Sequence, residues 1–259
     1  MILTSSWRSE TFVAFSPVQL TSLGGLHAAV LNQLGQSIVR GDIAPGAVLP
    51  NADDLSLQFG VSRTVIREVV KVLAAKGMVE SRPKTGTRVR ARHDWNFLDS
   101  DILNWRFSAG IKSEEAKSIF ELRRAIEPMA ARLAAERATP ADIATLERHL
   151  ALMEHYADDS IRFAEPDLAF HQAILRMTGN ELFSSLASVI ETALVVSFHL
   201  TDDNPQGQRA SLVLHRHLLE AIAIGDADRA SAAVLVLLDE AEEDVRRSLG
   251  ARRSQRASG

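Results

Sequence analysis

The sequence predicts a mainly α chain in two parts: a small three-helix domain closed by a two-stranded hairpin, then an antiparallel bundle of helices. Three observations carry this expectation. Apolar residues recur at helical spacing over most of the chain, with a single alternating stretch near residues 78–90. Gly and Pro punctuate the pattern at intervals that suit short helices early and longer ones later. Charge divides the same way. Residues 1–92 hold 11 Lys+Arg against 6 Asp+Glu, a balance of +5, and the remainder holds 29−11 = 18 against 33−6 = 27, a balance of −9. The first part is therefore suited to a polyanion and the second is not.

Residues 1–20 show neither helical period nor caps and read as a mobile arm. The first helix follows, with Leu26, Val30, Leu31, Leu34 and Ile38 on one face and Gly41 as its stop. A turn at Pro45–Gly46 leads to a short second helix, capped by Asn51 and ended by Gly60. Ser62 caps a third helix from Arg63 to Lys76, which buries Ile66, Val69, Val70 and Leu73. "MVES" and "TRVR" alternate as strands around the turn in "RPKTG". Three helices, a tight "GVS" turn between the second and third, and a hairpin make a winged helix-turn-helix, placed at residues 21–92. Residues 93–112 read as an aromatic-rich linker. Helices are expected near 113–138, 140–157, 160–178, 180–200, 207–224 and 227–248, forming a domain over 113–250 with a disordered tail at 251–259. Thr139-Pro140 is the clearest start signal among them.

Arg63, Thr64 and Arg67 open the third helix, and Arg63 and Arg67 share a face away from Ile66 and Val70. The start of such a helix is the part that enters the major groove, where arginine suits guanine O6/N7. Lys84 and Arg88 flank the wing tip and are expected to clamp phosphates, and Gly86 lets the wing backbone approach closely. Residues 26–89 resemble the DNA-binding domain of the GntR family of bacterial regulators, above all in "GDIAPGAVLP", "FGVSRTVIREVVKVLAAKGMV" and "KTGTRV". The resemblance implies that Arg63, Thr64 and Arg67 touch operator bases or phosphates and that Gly86 reaches the minor groove. After "LP" the family commonly carries an arginine that touches DNA. Here Asp53 stands in its place, so that contact is expected to be absent.

In the acidic part, Asp167 and His171 are one helical turn apart and could share a cation. His215 and His217 lie on another helix, two residues apart, so only one can face a common site, and periodicity leaves that choice open. Residues 113–248 resemble the all-helical FCD effector domain of the FadR subfamily, through "ELRRAIEPMAARLAAERAT", "DLAFHQAIL", "TGNELF" and "HRHLLEAIAIGDADRA". Many such domains bind a divalent metal, and then a small carboxylate, through an Asp and three His. The resemblance gives Asp167, His171 and His215 as three of those ligands and puts Leu237 where the fourth would be. Three ligands with open positions, weak binding, or no metal at all remain alternatives, and the donor set does not choose among Zn, Ni and Mn. Arg123 matches a family arginine facing the effector, with a structural ion pair as its other reading, and Ser211, one turn before His215, could add an effector-binding hydroxyl to the same pocket. The stretch "HDWNFLDSDILNW" resembles the connector of a subgroup that governs sugar-acid catabolism, which favours an aldonate-like effector.

The whole reads as a homodimeric DNA-binding transcription regulator, a repressor on a near-palindromic operator. A chain in which the metal itself is the signal is the alternative. A metal-dependent hydrolase is the third reading, but there is no HExxH, phosphate loop, GxGxxG or nucleophile elbow, so no enzyme is expected. The absence of cysteine excludes disulfides and thiolate sites and suits the cytoplasm. No apolar run reaches the length of a membrane span.

Overall fold

A computed structural model describes residues 23–108, 113–187, 189–194 and 205–257. The expected N-terminal arm lies outside them. The chain forms two compact units, meeting in sequence at Arg106 and Phe107.

The first unit contains α1 (Leu23–Arg40), α2 (Ala52–Phe59), α3 (Arg63–Ala75), the strands β1 (Val79–Arg82) and β2 (Gly86–Val89), and α4, whose span is Ser100–Phe107. Val30, Leu31, Leu34 and Ile38 of α1 are buried, as their spacing requires. Asn51 caps α2 by accepting from the amides of Asp53 and Asp54, both at 2.9 Å. Gly60 ends that helix with φ 67°, the left-handed geometry that glycine adopts without a Cβ penalty. Ser62 caps α3, whose inner face is Val65, Ile66, Val69 and Leu73, while Val70 is only half-buried. β1 and β2 pair antiparallel in the register Val79↔Val89 to Arg82↔Gly86, leaving Pro83, Lys84 and Thr85 as the wing tip.

The stretch expected as a linker is packed and partly helical up to Arg106. Trp95, Ile102 and Trp105 enter the core of the first unit. The Trp105 indole N–H donates to Asn32 Oδ1 at 2.9 Å. Its ring lies over Gly35, where an added Cβ would come within 2.5 Å of it, so only glycine fits. Aromatic rings spaced along a short helix seek burial, and α1 supplies the flat surface. Lys76 fastens the same segment, its Nζ lying 2.8 Å from Asp99 and 2.7 Å from Asp101. Burial works against the ammonium, but hydrogen bonds and charge from Asp101 and Asp99 outweigh it and raise its pKa above the ordinary 10.5. A raised pKa stabilises the fold fully below the unfolded value and ceases to do so as pH climbs through the folded one. Lys76→Met is therefore expected to cost about 1.5–3 kcal/mol at neutral pH. In denaturant titrations followed by tryptophan fluorescence, the gap between variant and parent should close only above the ordinary lysine pKa of 10.5.

The second unit contains α5 (Ser113–Arg137), α6 (Pro140–His155), α7 (Ser160–Met177), α8 (Glu181–Ser185), a helical stretch at 189–194, α9 (Pro205–Ala223) and α10 (Ala227–Ala257). α5 packs on α10, α9 on α10, and α6 on α7. Phe120, Phe163, Phe170, Leu146 and Leu218 lie in the shared core. Thr139 and Asp142 form a reciprocal capping box at the start of α6. The expected helix over 180–200 is interrupted: α8 closes at a turn at Leu186. The expected stop at Gly250 is corrected, because α10 runs on to Ala257, and residues 258–259 of the expected tail lie outside the described residues. A glycine ends a helix when it turns left-handed, and Gly250 does not.

Candidate functional site

On the first unit, α3 presents Arg63, Thr64 and Arg67 to solvent. The buried stripe on its opposite side fixes that orientation. Arg63 is not alone there: its Nε lies 2.6 Å from Asp53 Oδ1. On the wing, Lys84 sits at the tip with φ 66° and is exposed. Gly86 has φ 80°, which makes it a required glycine of the turn. Arg88 is exposed, but its guanidinium donates to the carbonyl of Gly46 and so ties the wing to the preceding loop. The sequence had placed it as a phosphate clamp.

On the second unit, α5, α7, α9 and α10 surround a cavity of about 550 Å³. Asp167 and His171, one turn apart on α7, face it together with His215 from α9, and all three are at most 3% exposed. His215 Nε2 lies 2.9 Å from Asp167 Oδ1 and 3.3 Å from His171 Nε2. His217 points elsewhere, into a separate hollow beside Arg229 and Val236, so the open choice between the two histidines falls to His215. Leu237 forms part of the cavity wall.

The other face of each imidazole fixes its proton. His171 Nδ1 is 3.0 Å from Glu127 Oε2, and His215 Nδ1 is 2.8 Å from the Ser211 carbonyl and 3.1 Å from its hydroxyl. A carboxylate and a carbonyl only accept, so each Nδ1 carries the hydrogen. Both Nε2 lone pairs then converge beside the Asp167 carboxylate. Three acceptors at this separation repel one another unless a proton or a cation lies among them. The donor set thus fits a divalent metal, with Glu127 and Ser211 orienting the ligands from behind. The candidate donor atoms all lie within 4.8 Å of one another.

Glu127 was not singled out from the sequence. It is buried, and Arg123 Nε lies 2.5 Å from its Oε1. Burial alone would raise its pKa, but the charges of Arg123 and His171 bring it down to about 2. Burial likewise opposes ionisation of Asp167, and where a proton and not a cation lies among the three, the hydrogen bond and charge of a protonated His215 lower its pKa in spite of it. Arg123 is therefore the ion-pair member that its alternative reading foresaw, yet it also lines the cavity. Its Nη1 is buried without a partner among the described residues, as is Oε1 of Gln208, which lines the same cavity. Glu127 was legible, being four residues beyond Arg123 on a predicted helix. Gln208 carried no sequence signal at all.

Residues 26–89 match the family model for bacterial regulatory proteins of the gntR family, and residues 118–240 match the FCD domain. An uncharacterized HTH-type transcriptional regulator of Escherichia coli, YieP, is 36% identical over 86% of this chain and 96% of its own. The chain belongs to the GntR family. It is a transcription regulator of the GntR/FCD type, in a family of regulators and not of enzymes. The galactonate operon transcriptional repressor of Escherichia coli is another GntR relative, 35% identical over 79% of this chain and 90% of its own. A solved structure described as Lar, which controls the expression of the Listeria monocytogenes agr system, shares the fold with a TM-score of 0.64 and 17% identity over 89% of this chain and 99% of its own. Among the described residues no helix is long and apolar enough to cross a membrane. The FCD match takes in the three converging side chains, Glu127 and Gln208 alike.

Proposed function

We propose that this GntR regulator is a homodimeric repressor of a sugar-acid catabolic operon, released by a small hydroxy-carboxylate bound in the helical domain. The observation that carries the proposal is the polar pairing inside the cavity. Arg123 Nη1 is a buried donor and Gln208 Oε1 a buried acceptor, both lacking partners among the described residues and both lining the space beside Asp167, His171 and His215. Such groups are costly unless something pairs with them. A carboxylate answers the guanidinium and a hydroxyl answers the amide oxygen. The relative that represses a galactonate operon supports the same class of effector.

Asp167, His171 and His215 would hold Zn, Ni or Mn, with Leu237 withholding a fourth protein ligand. The ion would supply positive charge and open positions for oxygen donors. Arg123 orients the effector carboxylate, Gln208 takes a hydroxyl, and Ser211 keeps His215 in the ligating tautomer. Effector binding releases DNA only in so far as it favours the dimer arrangement that no longer spans two half-sites.

In the first unit, Arg63, Thr64 and Arg67 would enter the major groove of each half of a near-palindromic operator, with Lys84 on a phosphate and Gly86 at the minor groove. Arg88 would brace the wing. Arg67→Ala is expected to weaken operator binding by about 1–3 kcal/mol, and Lys84→Ala to weaken all duplexes alike and reduce the salt slope by about one. Fluorescence anisotropy with operator and unrelated duplexes measures both. A folded Arg67→Ala protein with the parent's operator affinity would remove α3 from the groove.

A further inference from the structure

We infer that Asp53 is a specificity determinant for DNA, its carboxylate holding the Arg63 guanidinium so that it reads a base edge and is withheld from phosphates. The inference rests on the proposal that α3 enters the major groove.

The arrangement is built locally. Asn51 caps α2 and pins the amide of Asp53 at 2.9 Å, which fixes the backbone from which the carboxylate projects. Ser62 caps α3 and sets Arg63 as its first residue. Between these two starts, Asp53 Oδ1 accepts from Arg63 Nε at 2.6 Å. Nε is the inner donor of the fork. Its engagement leaves the outer edge, with Nη1 and Nη2 side by side, for a second acceptor pair, and guanine O6 and N7 are such a pair.

An arginine at this place without a partner samples many rotamers and is drawn to any phosphate within reach. Asp53 opposes both tendencies, since it narrows the rotamers of Arg63 and repels phosphate itself. As a surface ion pair it adds little to stability, both side chains being more than half exposed. Its effect lies in the difference between right and wrong DNA, and a repulsive element is a recognised way to widen that difference. The simpler explanation is an acid complementing the α2 dipole. Asp54 supplies that equally and makes no ion pair among the described residues, whereas the dipole does not require the 2.6 Å contact to Arg63.

The test is selection of duplexes from a random-sequence pool by the full-length protein and by Asp53→Ala, Asp53→Asn and Arg63→Ala variants. Binding to one fixed unrelated duplex is measured alongside, over a range of salt. Asp53→Ala should blur a single position per half-site, lowering its guanine preference about tenfold, and Arg63→Ala should blur that same position. Asp53→Ala should also bind the unrelated duplex several-fold more tightly, with a salt slope steeper by about one, because the freed Arg63 becomes a phosphate contact. Asp53→Asn keeps an acceptor without the charge and should fall between. If Arg63→Ala blurs a position that Asp53→Ala leaves sharp, the inference is overturned and the placement of α3 stands. If neither variant alters the selected sequence, the placement of α3 falls and the inference with it.

Discussion

Arg123→Ala is expected to lower the melting temperature by roughly 10 °C and to abolish release of DNA by effector. Two separate consequences of one buried side chain are involved. Arg123 is 1% exposed, and Glu127, its partner at 2.5 Å, is 4% exposed. Removing the guanidinium leaves an ionised carboxylate in the interior with the His171 N–H as its remaining partner among the described residues. Breaking a buried pair in this way costs about 3–5 kcal/mol, and in a unit of this size each kcal/mol is about 2–4 °C. The second consequence is loss of the unpartnered Nη1 that faces the cavity. Arg123→Lys separates the two. A lysine ammonium still answers Glu127 but lacks the second planar edge for a carboxylate. It should retain most of the stability, bind operator as the parent does, and respond to an aldonate only at about 10- to 150-fold higher concentration. Thermal scans and operator release measured side by side decide the matter. An Arg123→Lys protein that releases DNA at the parent's effector concentration places the carboxylate elsewhere and leaves Arg123 as a purely structural cation.

Asp167→Asn is expected to reduce metal from about one ion per chain to less than a tenth, with affinity lower by more than about 100-fold, because even residues behind a metal ligand commonly account for 10–100-fold. The substitution preserves shape and removes the only anionic ligand of the three. His217→Ala, on the same helix as His215 but facing away, should keep the parent's content. Elemental analysis and metal titration of untagged protein are the measurements. Chelation of the parent should lower its melting temperature, and an aldonate should raise it more with metal than without, since a ligand stabilises the state that binds it. A parent that stays metal-free after soaking would mean that an imidazolium proton bridges His171 and His215 beside Asp167, in a polar core with no ion.

Much of the fold was legible because its signals are local. Asn51, Ser62 and Thr139 cap the helices they were expected to cap, and the Asp-x3-His spacing put Asp167 and His171 on one face. What the sequence left open was settled by contacts distant in the chain. His215 rather than His217 joins the cluster because it is the one that reaches Asp167 and His171, while His217 lines a separate hollow, and a spacing of two residues cannot foretell which. Arg88 turns to the Gly46 carbonyl, 42 residues away. Asp53 reads as a missing phosphate contact until Arg63 is seen beside it. Glu127 was within reach of the same i, i+4 rule that found Asp167. Gln208 was not, because a lone glutamine acquires meaning only from the cavity it lines.

The seat of Trp105 against Gly35 has a practical consequence for building hybrid regulators. Consider a chimaera that joins this DNA-reading head to a foreign sensor by a cut just after the last strand of the wing, at Val89. That cut would discard Trp95, Ile102 and Trp105, all at most 4% exposed in the head's own core, and would leave an apolar scar across α1 in every fusion. Exposed scars of this kind promote aggregation. The transferable module extends to Arg106, and a graft made there carries its own seal.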